Sequence, residues 1–235
     1  MTFSIKRCMA IFQKDLKNLY RNLYVLTTAF MPLILAFVYS RMGEAPLELH
    51  MMILTLSLSL VGTFLQCAMI AEEKEKNTLR GLMLSPATVP EILAGKSAVT
   101  TLITLITTYL GLLMMDFPFA NNGLLLVGSL MALVIFIALG TWMGLVTRTV
   151  MEASIYILPV MFIFGMANMF IGFVHQYAFL QVLEYTPGVQ LQEIAELTGV
   201  TADWAQLWQP FAIISGWLIV IVALTVITFN KRMMD

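Results

Sequence analysis

The strongest candidate for chemistry in the sequence is Gly95-Lys96-Ser97, which resembles the end of a phosphate-binding loop. The full motif, G-x-x-x-x-G-K-S, needs a first glycine at position 90, and that residue is Pro90. The H-E-x-x-H motif of zinc peptidases and the G-x-S-x-G motif of serine hydrolases do not occur in the sequence. We therefore predict no ATP site, metal site or catalytic residue in this chain.

Charged residues are concentrated in one stretch, Ala71 to Lys96, which joins two apolar runs. Glu72 and Lys76 have the i,i+4 spacing that supports a helix continuing out of the first run. Ser85-Pro86 ends the helical pattern, and Thr88-x-x-Glu91 is typical of a capping box that starts the next helix. Two interpretations stay open on physical grounds: a solvated elbow between helices, or a docking surface for a soluble partner.

Ionisable side chains are missing from the centres of the apolar runs. A proton relay or an ion site inside a membrane would need them, because they carry the charge that such a mechanism moves. Their absence argues against a proton-coupled carrier. The two histidines, His50 and His175, map near the ends of apolar runs, where we expect solvated side chains.

Small and hydroxylated residues recur in the apolar runs at the four-three step of a helix. They are Thr55, Ser59, Gly62 and Gln66; Ser97, Thr101, Thr104 and Thr108; Gly165, Asn168 and Gly172; and the pair Gly140 and Gly144. This spacing is typical of close helix packing. Gln66 and Asn168 carry amides that are larger than close packing requires, so contact with a ligand stays open for them.

The composition requires a membrane, since 60% of the residues are hydrophobic and 11% are charged, against about 25% charged in a soluble domain. A hydrocarbon core needs about 20 apolar residues per helix. Uncharged runs of this length predict an all-α membrane protein with six transmembrane helices. They are Leu23 to Ser40, Leu49 to Ala71, Ser97 to Met115, Asn122 to Thr147, Ser154 to Val174 and Phe211 to Phe229. Pro32 and Pro159 are expected to kink the first and the fifth.

The distribution of Lys and Arg predicts the orientation of these spans. If the N-terminus is cytoplasmic, 12 of the 13 Lys and Arg residues fall on the cytoplasmic side and Arg41 alone falls outside. The acidic residues divide evenly, as expected when Lys and Arg set the topology. Both termini are therefore predicted to be cytoplasmic.

Two further segments complete the predicted domain organisation. Residues 1–21 carry apolar residues at helical spacing among lysines, which predicts an amphipathic helix lying at the membrane interface ahead of the transmembrane domain, residues 22–235. That helix could also be an extension without a further role. The last outer loop, residues 175–210, is long, so we expect short interfacial helices in it, with Trp204 and Trp208 at the level of the lipid headgroups.

The segment after the second span resembles the permeases of the ABC-2 transporter family. The likeness rests on Glu-Glu-Lys-Glu (72–75), Asn-Thr-Leu-Arg (77–80), Leu-Ser-Pro (84–86) and Glu-Ile-Leu-Ala-Gly-Lys (91–96), and it extends to the architecture of the whole chain. Asn77 departs from the family, which commonly has glycine before the threonine, but asparagine adopts similar backbone conformations.

The resemblance implies a multi-pass subunit of an exporter in a bacterial cytoplasmic membrane. It implies that residues 72–96 form the coupling loop that docks an ATPase. The residues expected to contact that ATPase are Glu72, Glu73, Glu75, Thr78, Leu79, Arg80 and Leu84. ATP and Mg²⁺ would bind in two ATPase subunits, and a second copy of the permease or a homologue would complete the membrane part. Membrane lipid is an expected partner, and nucleic acid is not.

In such permeases the second and fifth spans border the transport path, so the resemblance makes Gln66 and Asn168 candidates for cargo contact. A hydrophobic or amphipathic cargo is expected, such as a drug, an antimicrobial peptide or a lipid-like molecule. The alternatives are a proton-coupled secondary carrier and an accessory membrane scaffold.

Overall fold

The computed structural model describes residues 3–78, 87–119, 123–174, 176–200 and 204–234, and the regular secondary structure in these ranges is helical. Five helical stretches are long and apolar enough to cross a membrane, and a sixth is formed by two helices that meet at 56°. The predicted all-α fold is confirmed, with five spans or six if the bent pair counts as one. The orientation of the spans in a membrane stays a prediction.

The chain begins with α1 (Ile5–Arg21), and the first span follows as α2 (Leu23–Thr28) and α3 (Phe30–Ser40). The second span consists of α4 (Leu47–Leu56), a π-helical segment (Ser57–Phe64) and α5 (Leu65–Glu75). The third and fourth spans are α6 (Val89–Met114) and α7 (Gly123–Val146). The fifth consists of α8 (Val150–Val160), a π-helical segment (Met161–Gly165), α9 (Ala167–Phe170) and a 3₁₀ turn (Ile171–Phe173). A 3₁₀ helix (Ala178–Tyr185) and α10 (Pro187–Val200) lead to the sixth span, α11 (Trp204–Met234).

The second span is the centre of the bundle. Its 18-residue apolar window is entirely buried, whereas 22% of the first span's window and 17% of the sixth span's window are buried. A helix that is apolar all round suits such a position, because every face meets another helix. The remaining spans surround it and expose apolar side chains to the outside.

The fourth span approaches the second through the predicted Gly140-x-x-x-Gly144 motif. A methyl group on Gly140 would lie 2.4 Å from the carbonyl oxygen of Thr63, and one on Gly144 would lie 2.8 Å from Cβ of Ile70. Only glycine allows the backbones to come this close. The prediction that this motif packs helices is confirmed.

The two proline predictions have different outcomes. In the first span, the helix is interrupted at Ala29, three residues before Pro32, but Leu23–Ser40 still forms one span, so the kink at Pro32 stays a prediction. In the fifth span, the 56° bend falls at Met166, seven residues after Pro159. The kink predicted at Pro159 is therefore misplaced. The bend packs on the second span, where the Thr55 hydroxyl donates to the carbonyl of Gly165 at 3.1 Å.

The bundle has two distinct ends, and we call the end that carries α1 the basal end and the opposite one the distal end. At the distal end, α10 packs against the spans. Leu191 and Ile194 are fully buried, and Leu191 is in contact with Gly128 of the fourth span. The predicted short helices are present, and the apolar residues of α10 pack against the spans; its depth in the membrane stays a prediction.

His50 also differs from expectation. Its side chain is 7% exposed, and its Nδ1 and Nε2 atoms lie 3.1 Å and 2.9 Å from the carbonyl oxygens of Pro46 and Met115. The imidazole thus joins the start of the second span to the end of the third. The prediction of a solvated side chain is wrong for His50, and His175 lies outside the described residues.

Candidate coupling site at the basal end

The end of the second span and the start of the third flank the charged loop, and we call these two segments its stems. Buried ion pairs hold both stems in place. Nζ of Lys96 lies 3.1 Å from Oδ2 of Asp15 and 2.8 Å from Oε2 of Glu73. Lys14 pairs with Glu73 as well and lies 3.6 Å from Oδ1 of Asp15. Two cations and two anions thus meet where α1, the end of the second span and the start of the third come together. We call these four residues the basal ion cluster.

The basal ion cluster is deeply buried on one side. Lys96, Asp15 and Glu73 are 2%, 3% and 5% exposed. Taking such charges out of water costs several kcal/mol per ion, which only close opposite charges offset. Burial opposes the charge of Lys14, but its hydrogen bond to Glu73 and the negative charges of Glu73 and Asp15 outweigh burial and raise the pKa of Lys14. The cluster is therefore neutral as a whole and depends on every member.

A second contact ties α1 to the start of the third span. The Arg7 guanidinium donates to Glu91 from Nη2 at 2.7 Å and from Nε at 3.0 Å. The same carboxylate accepts from the backbone N–H of Ser4 at 2.5 Å and of Thr88 at 2.7 Å. The capping box predicted for Thr88 and Glu91 is confirmed. Glu91 is thus both a helix cap and an anchor for α1.

The backbones of α1 and the third span are also in direct contact. A methyl group on Gly95 would lie 2.9 Å from the carbonyl oxygen of Cys8 and 2.9 Å from Cβ of Ile11. Glycine at this position lets α1 lie against the helix, because any side chain would push the two apart.

The remaining acidic residues of the first stem bind neighbouring elements. Glu72 accepts from Nδ2 of Asn22 at 3.0 Å and forms the predicted ion pair with Lys76. Glu75 accepts from the backbone N–H of Val150 at 3.2 Å, which ties the second span to the start of the fifth. These contacts join the stem to the first and fifth spans.

Lys74 caps the fourth span. Its ammonium donates to the carbonyl oxygens of Leu145 at 2.7 Å, Gly144 at 3.4 Å and Thr147. A cation is favourable there, because the last carbonyls of a helix lack partners and carry partial negative charge. Among the described residues, the charged side chains of the first stem thus bind neighbouring elements of the basal end through polar contacts. The sixth span instead packs on this stem through apolar contacts of Phe229.

The loop itself begins at a backbone turn. Asn77 has φ of +56°, in the left-handed region that glycine and asparagine tolerate best. The Thr78 hydroxyl donates back to the carbonyl of Glu73 at 3.3 Å, and Thr78 is exposed. Leu79, Arg80 and Leu84, the other predicted contact residues of the loop, lie outside the described residues.

A comparison with protein families gives a match over residues 48–227 to the family described as "ABC-2 family transporter protein". The chain belongs to the ABC-2 transporter family. It is therefore a multi-pass membrane permease, and permease subunits of this family lack ATPase activity. A comparison with curated proteins gave no match.

The two amides that the sequence singled out in this ABC-2 permease have opposite environments. Gln66 is fully buried, its Oε1 accepts from the Thr100 hydroxyl at 2.7 Å, and its Nε2 donates to the Thr141 hydroxyl at 3.1 Å. It thus joins the second, third and fourth spans. Asn168 is 5% exposed, and neither atom of its amide has a hydrogen-bond partner within the described part of the chain. Cargo contact stays a prediction for both residues.

Sequence reasoning missed the residues of α1 that bind the stems of the charged loop. The apolar spacing of α1 predicted an interfacial face of Ile5, Met9, Phe12, Leu16 and Leu19. Ile5 and Met9 are exposed, whereas Leu19 is buried and Phe12 and Leu16 pack against the core. Ile11 and Asp15, which are not on the predicted face, are buried against the bundle as well. An acidic residue spaced four residues from two apolar ones was the available signal that Asp15 is buried against a cation.

Proposed function

We propose that this permease forms the membrane pathway of an exporter for hydrophobic or amphipathic compounds. Two separate ATPase subunits bind ATP and Mg²⁺ and dock on residues 72–96. A second copy of the chain, or a homologous permease, completes the pathway. In this proposal the basal end faces the cytoplasm, as the distribution of Lys and Arg predicts.

The basal ion cluster is the observation that carries the proposal. It joins both stems of the loop to α1 through buried ion pairs, whose separation would leave charges buried without a counter-charge. A force applied to residues 79–86 by a soluble subunit would therefore act on α1, the second span and the third span together. A solvated elbow would not need buried charges at its base.

The location of the ionisable residues supports this function over a proton-coupled carrier. The Asp, Glu, Lys, Arg and His residues of the described spans lie within about two helical turns of a span end. A proton relay across the membrane would need titratable groups farther in. A transporter driven by a separate ATPase needs no titratable groups there.

An amphipathic cargo is the class that the spans suit. The chain contains 18 methionines, whose flexible side chains adapt to apolar ligands of different shape. Asn168 offers an amide whose donor and acceptor are both free within the described residues. Such a group in the fifth span can bind the polar part of a cargo molecule.

The test is co-purification of the ATPase with tagged permease. Arg80→Glu should reduce the amount of ATPase retained about tenfold, as the loss of one charged contact does. Lys17→Glu, a charge reversal on the exposed face of α1, is the matched control and should retain the wild-type amount. Equal retention by the two variants would remove residues 72–96 from the docking role.

A further inference from the structure

A cavity of about 600 Å³ lies at the basal end of the bundle, where α1 meets the first, second and fifth spans. Its lining includes Asn18 and Arg21 of α1, Glu72 and Glu75 of the second span, and Met151 of the fifth. The four residues of the basal ion cluster do not line it. The cavity is therefore a second polar site at this end of the permease.

The cavity lies at the depth of the lipid headgroups. The first span begins at Leu23, the second ends at Glu75 and the fifth begins at Val150, and all three residues line the cavity. A span crosses the hydrocarbon core, so its ends lie in the headgroup layer, which is about 5–7 Å thick on each side. Phospholipid headgroups are therefore the molecules that surround this cavity in a membrane.

Exposed apolar side chains continue from the cavity along the first and fifth spans. Leu23 is 68% exposed and Met151 is 74% exposed, and both line the cavity. One turn farther along the fifth span, Ile155 is exposed as well. The Tyr24 hydroxyl donates to the Ser154 hydroxyl at 2.8 Å, so the two spans lie side by side. The acyl chains of a lipid can therefore lie along this apolar surface while its headgroup enters the cavity.

The charged side chains of the lining indicate the class of headgroup. Two cations, Arg21 and Lys76, and two anions, Glu72 and Glu75, line the cavity, so its formal charges balance. Lys76 pairs with Glu72. Among the described residues Arg21 has no ion-pair partner, and the Glu75 carboxylate accepts only from the backbone N–H of Val150 at 3.2 Å. One cation and one anion thus line the same cavity without pairing with each other.

A zwitterionic headgroup supplies a partner for each of these two side chains. A guanidinium binds phosphate through parallel N–H···O bonds, which suits Arg21. A primary ammonium has three N–H donors for a carboxylate, which suits Glu75. A headgroup with a phosphate and no cation, such as that of phosphatidylglycerol, would leave Glu75 without a counter-charge. The balanced lining therefore favours a zwitterion over an anionic lipid.

We infer that this cavity binds the headgroup of a zwitterionic phospholipid such as phosphatidylethanolamine. The phosphate accepts from Arg21, the ammonium donates to Glu75, and the acyl chains lie along the first and fifth spans. Because α1 and the ends of three spans line the cavity, the bound lipid holds these elements together beside the docking loop. This site goes beyond the proposed function, since it requires no ATPase.

Native mass spectrometry of the purified permease in mild detergent tests this inference, with phosphatidylethanolamine and phosphatidylglycerol of the same acyl chains as probes. The wild type should bind phosphatidylethanolamine about tenfold more tightly, as one additional charged contact allows. Arg21→Gln should lower the binding of phosphatidylethanolamine about tenfold for the same reason. Lys17→Gln removes an exposed cation one turn earlier on α1 that does not line the cavity, so it is the matched control and should bind as the wild type does.

Glu75→Gln tests the contact with the ammonium separately. The amide oxygen of glutamine can still accept from the backbone N–H of Val150, so the fold is kept, but the preference for phosphatidylethanolamine over phosphatidylglycerol should disappear. The inference is overturned if the wild type binds the two lipids equally, if Glu75→Gln keeps the preference, or if Arg21→Gln and Lys17→Gln lose equal amounts. It is also overturned if glycerophosphoethanolamine, the same headgroup without acyl chains, displaces the lipid at an equal concentration, since the ligand would then be a soluble molecule.

Discussion

At the basal end of the bundle the buried charged side chains form ion pairs, whereas in the distal half several buried neutral polar atoms have no hydrogen-bond partner among the described residues. Lys96, Asp15 and Glu73 meet in one neutral cluster. In the distal half, the amide of Asn168, the Thr108 hydroxyl and the Oε1 atoms of Gln190 and Gln192 are buried without partners among the described residues. The described part of the fifth span is also bent there by 56°.

The difference indicates how the permease divides its work. Paired charges fix the relative positions of α1 and the loop stems, because any displacement would separate ions in a medium of low dielectric constant. Unpaired groups in the distal half are free to bind water, lipid or cargo when the helices move. In the proposed function, the basal end would transmit force as a rigid body and the distal half would be the part that changes.

Breaking the basal ion cluster should have the largest effect. Lys96→Met leaves Asp15 and Glu73 buried with only the half-exposed Lys14 beside them, which should cost about 3–5 kcal/mol. In a detergent melt the midpoint should fall by about 10 °C. Lys17→Met is the control, and the pair Asp15→Asn with Lys96→Met should recover part of the loss. An unchanged midpoint for Lys96→Met would mean that the cluster does not hold the basal end.

Disturbing the close packing of the second and fourth spans should have the next largest effect. Gly140→Ala puts a methyl group 2.4 Å from the carbonyl of Thr63 and should cost about 1–3 kcal/mol. Gly216→Ala meets open space and should be neutral or slightly stabilising, because alanine favours helix. The melting midpoint should therefore fall for Gly140→Ala and stay the same or rise for Gly216→Ala. Equal changes in the two midpoints would contradict the close contact at Gly140.

Gln66, whose amide is hydrogen-bonded, and Asn168, whose amide is not, allow paired and unpaired groups to be compared through single substitutions. Gln66→Leu removes the amide oxygen that accepts from the Thr100 hydroxyl and the amide N–H that donates to the Thr141 hydroxyl, which should cost about 1–3 kcal/mol. Asn168→Leu breaks no hydrogen bond among the described residues, so the melt should be unchanged or raised. Transport should nevertheless be altered by Asn168→Leu. A destabilised Asn168→Leu variant would show that this amide has a structural partner.

The smallest effect is expected at Glu193 of α10. Partial burial raises the pKa of Glu193, and the negative charge of Glu196 adds to it. A raised pKa means that the folded state favours the protonated form, so stability is greatest below the ordinary value of 4.5 and falls as the pH rises through the folded pKa. Glu193→Gln should be more stable than the wild type at pH 7.5 by less than about 1 kcal/mol, since water screens a partly exposed group.

The same comparison at pH 4 is the control for Glu193. The wild-type side chain is then largely protonated, and the difference between the two melts should disappear. A difference that is equal at both pH values would show that the charge of Glu193 is not its origin.

Local sequence patterns predicted much of this architecture, but they could not predict ion pairs between residues that are far apart in the sequence. The positions of the spans, the capping box at Thr88 and the contact at Gly140 follow from residues within one helix or at its ends. Asp15 and Lys96 are 81 residues apart in the sequence and Lys14 and Glu73 are 59 apart, so only the fold brings these pairs together. The bend at Met166 was missed for the same reason, because the second span supports it.

The central claim is that the ATPase meets the permease at residues 72–96 on the basal end. Photo-crosslinking in native membranes tests it most directly, with a photoreactive residue replacing Arg80 in one variant and Met42 in another. Met42 is 75% exposed and lies in the connection between the first and second spans at the distal end. The account predicts a covalent adduct with the ATPase from position 80 and none from position 42. An adduct from position 42 alone would show that the distal end faces the cytoplasm. The absence of an adduct from position 80 would contradict the docking role.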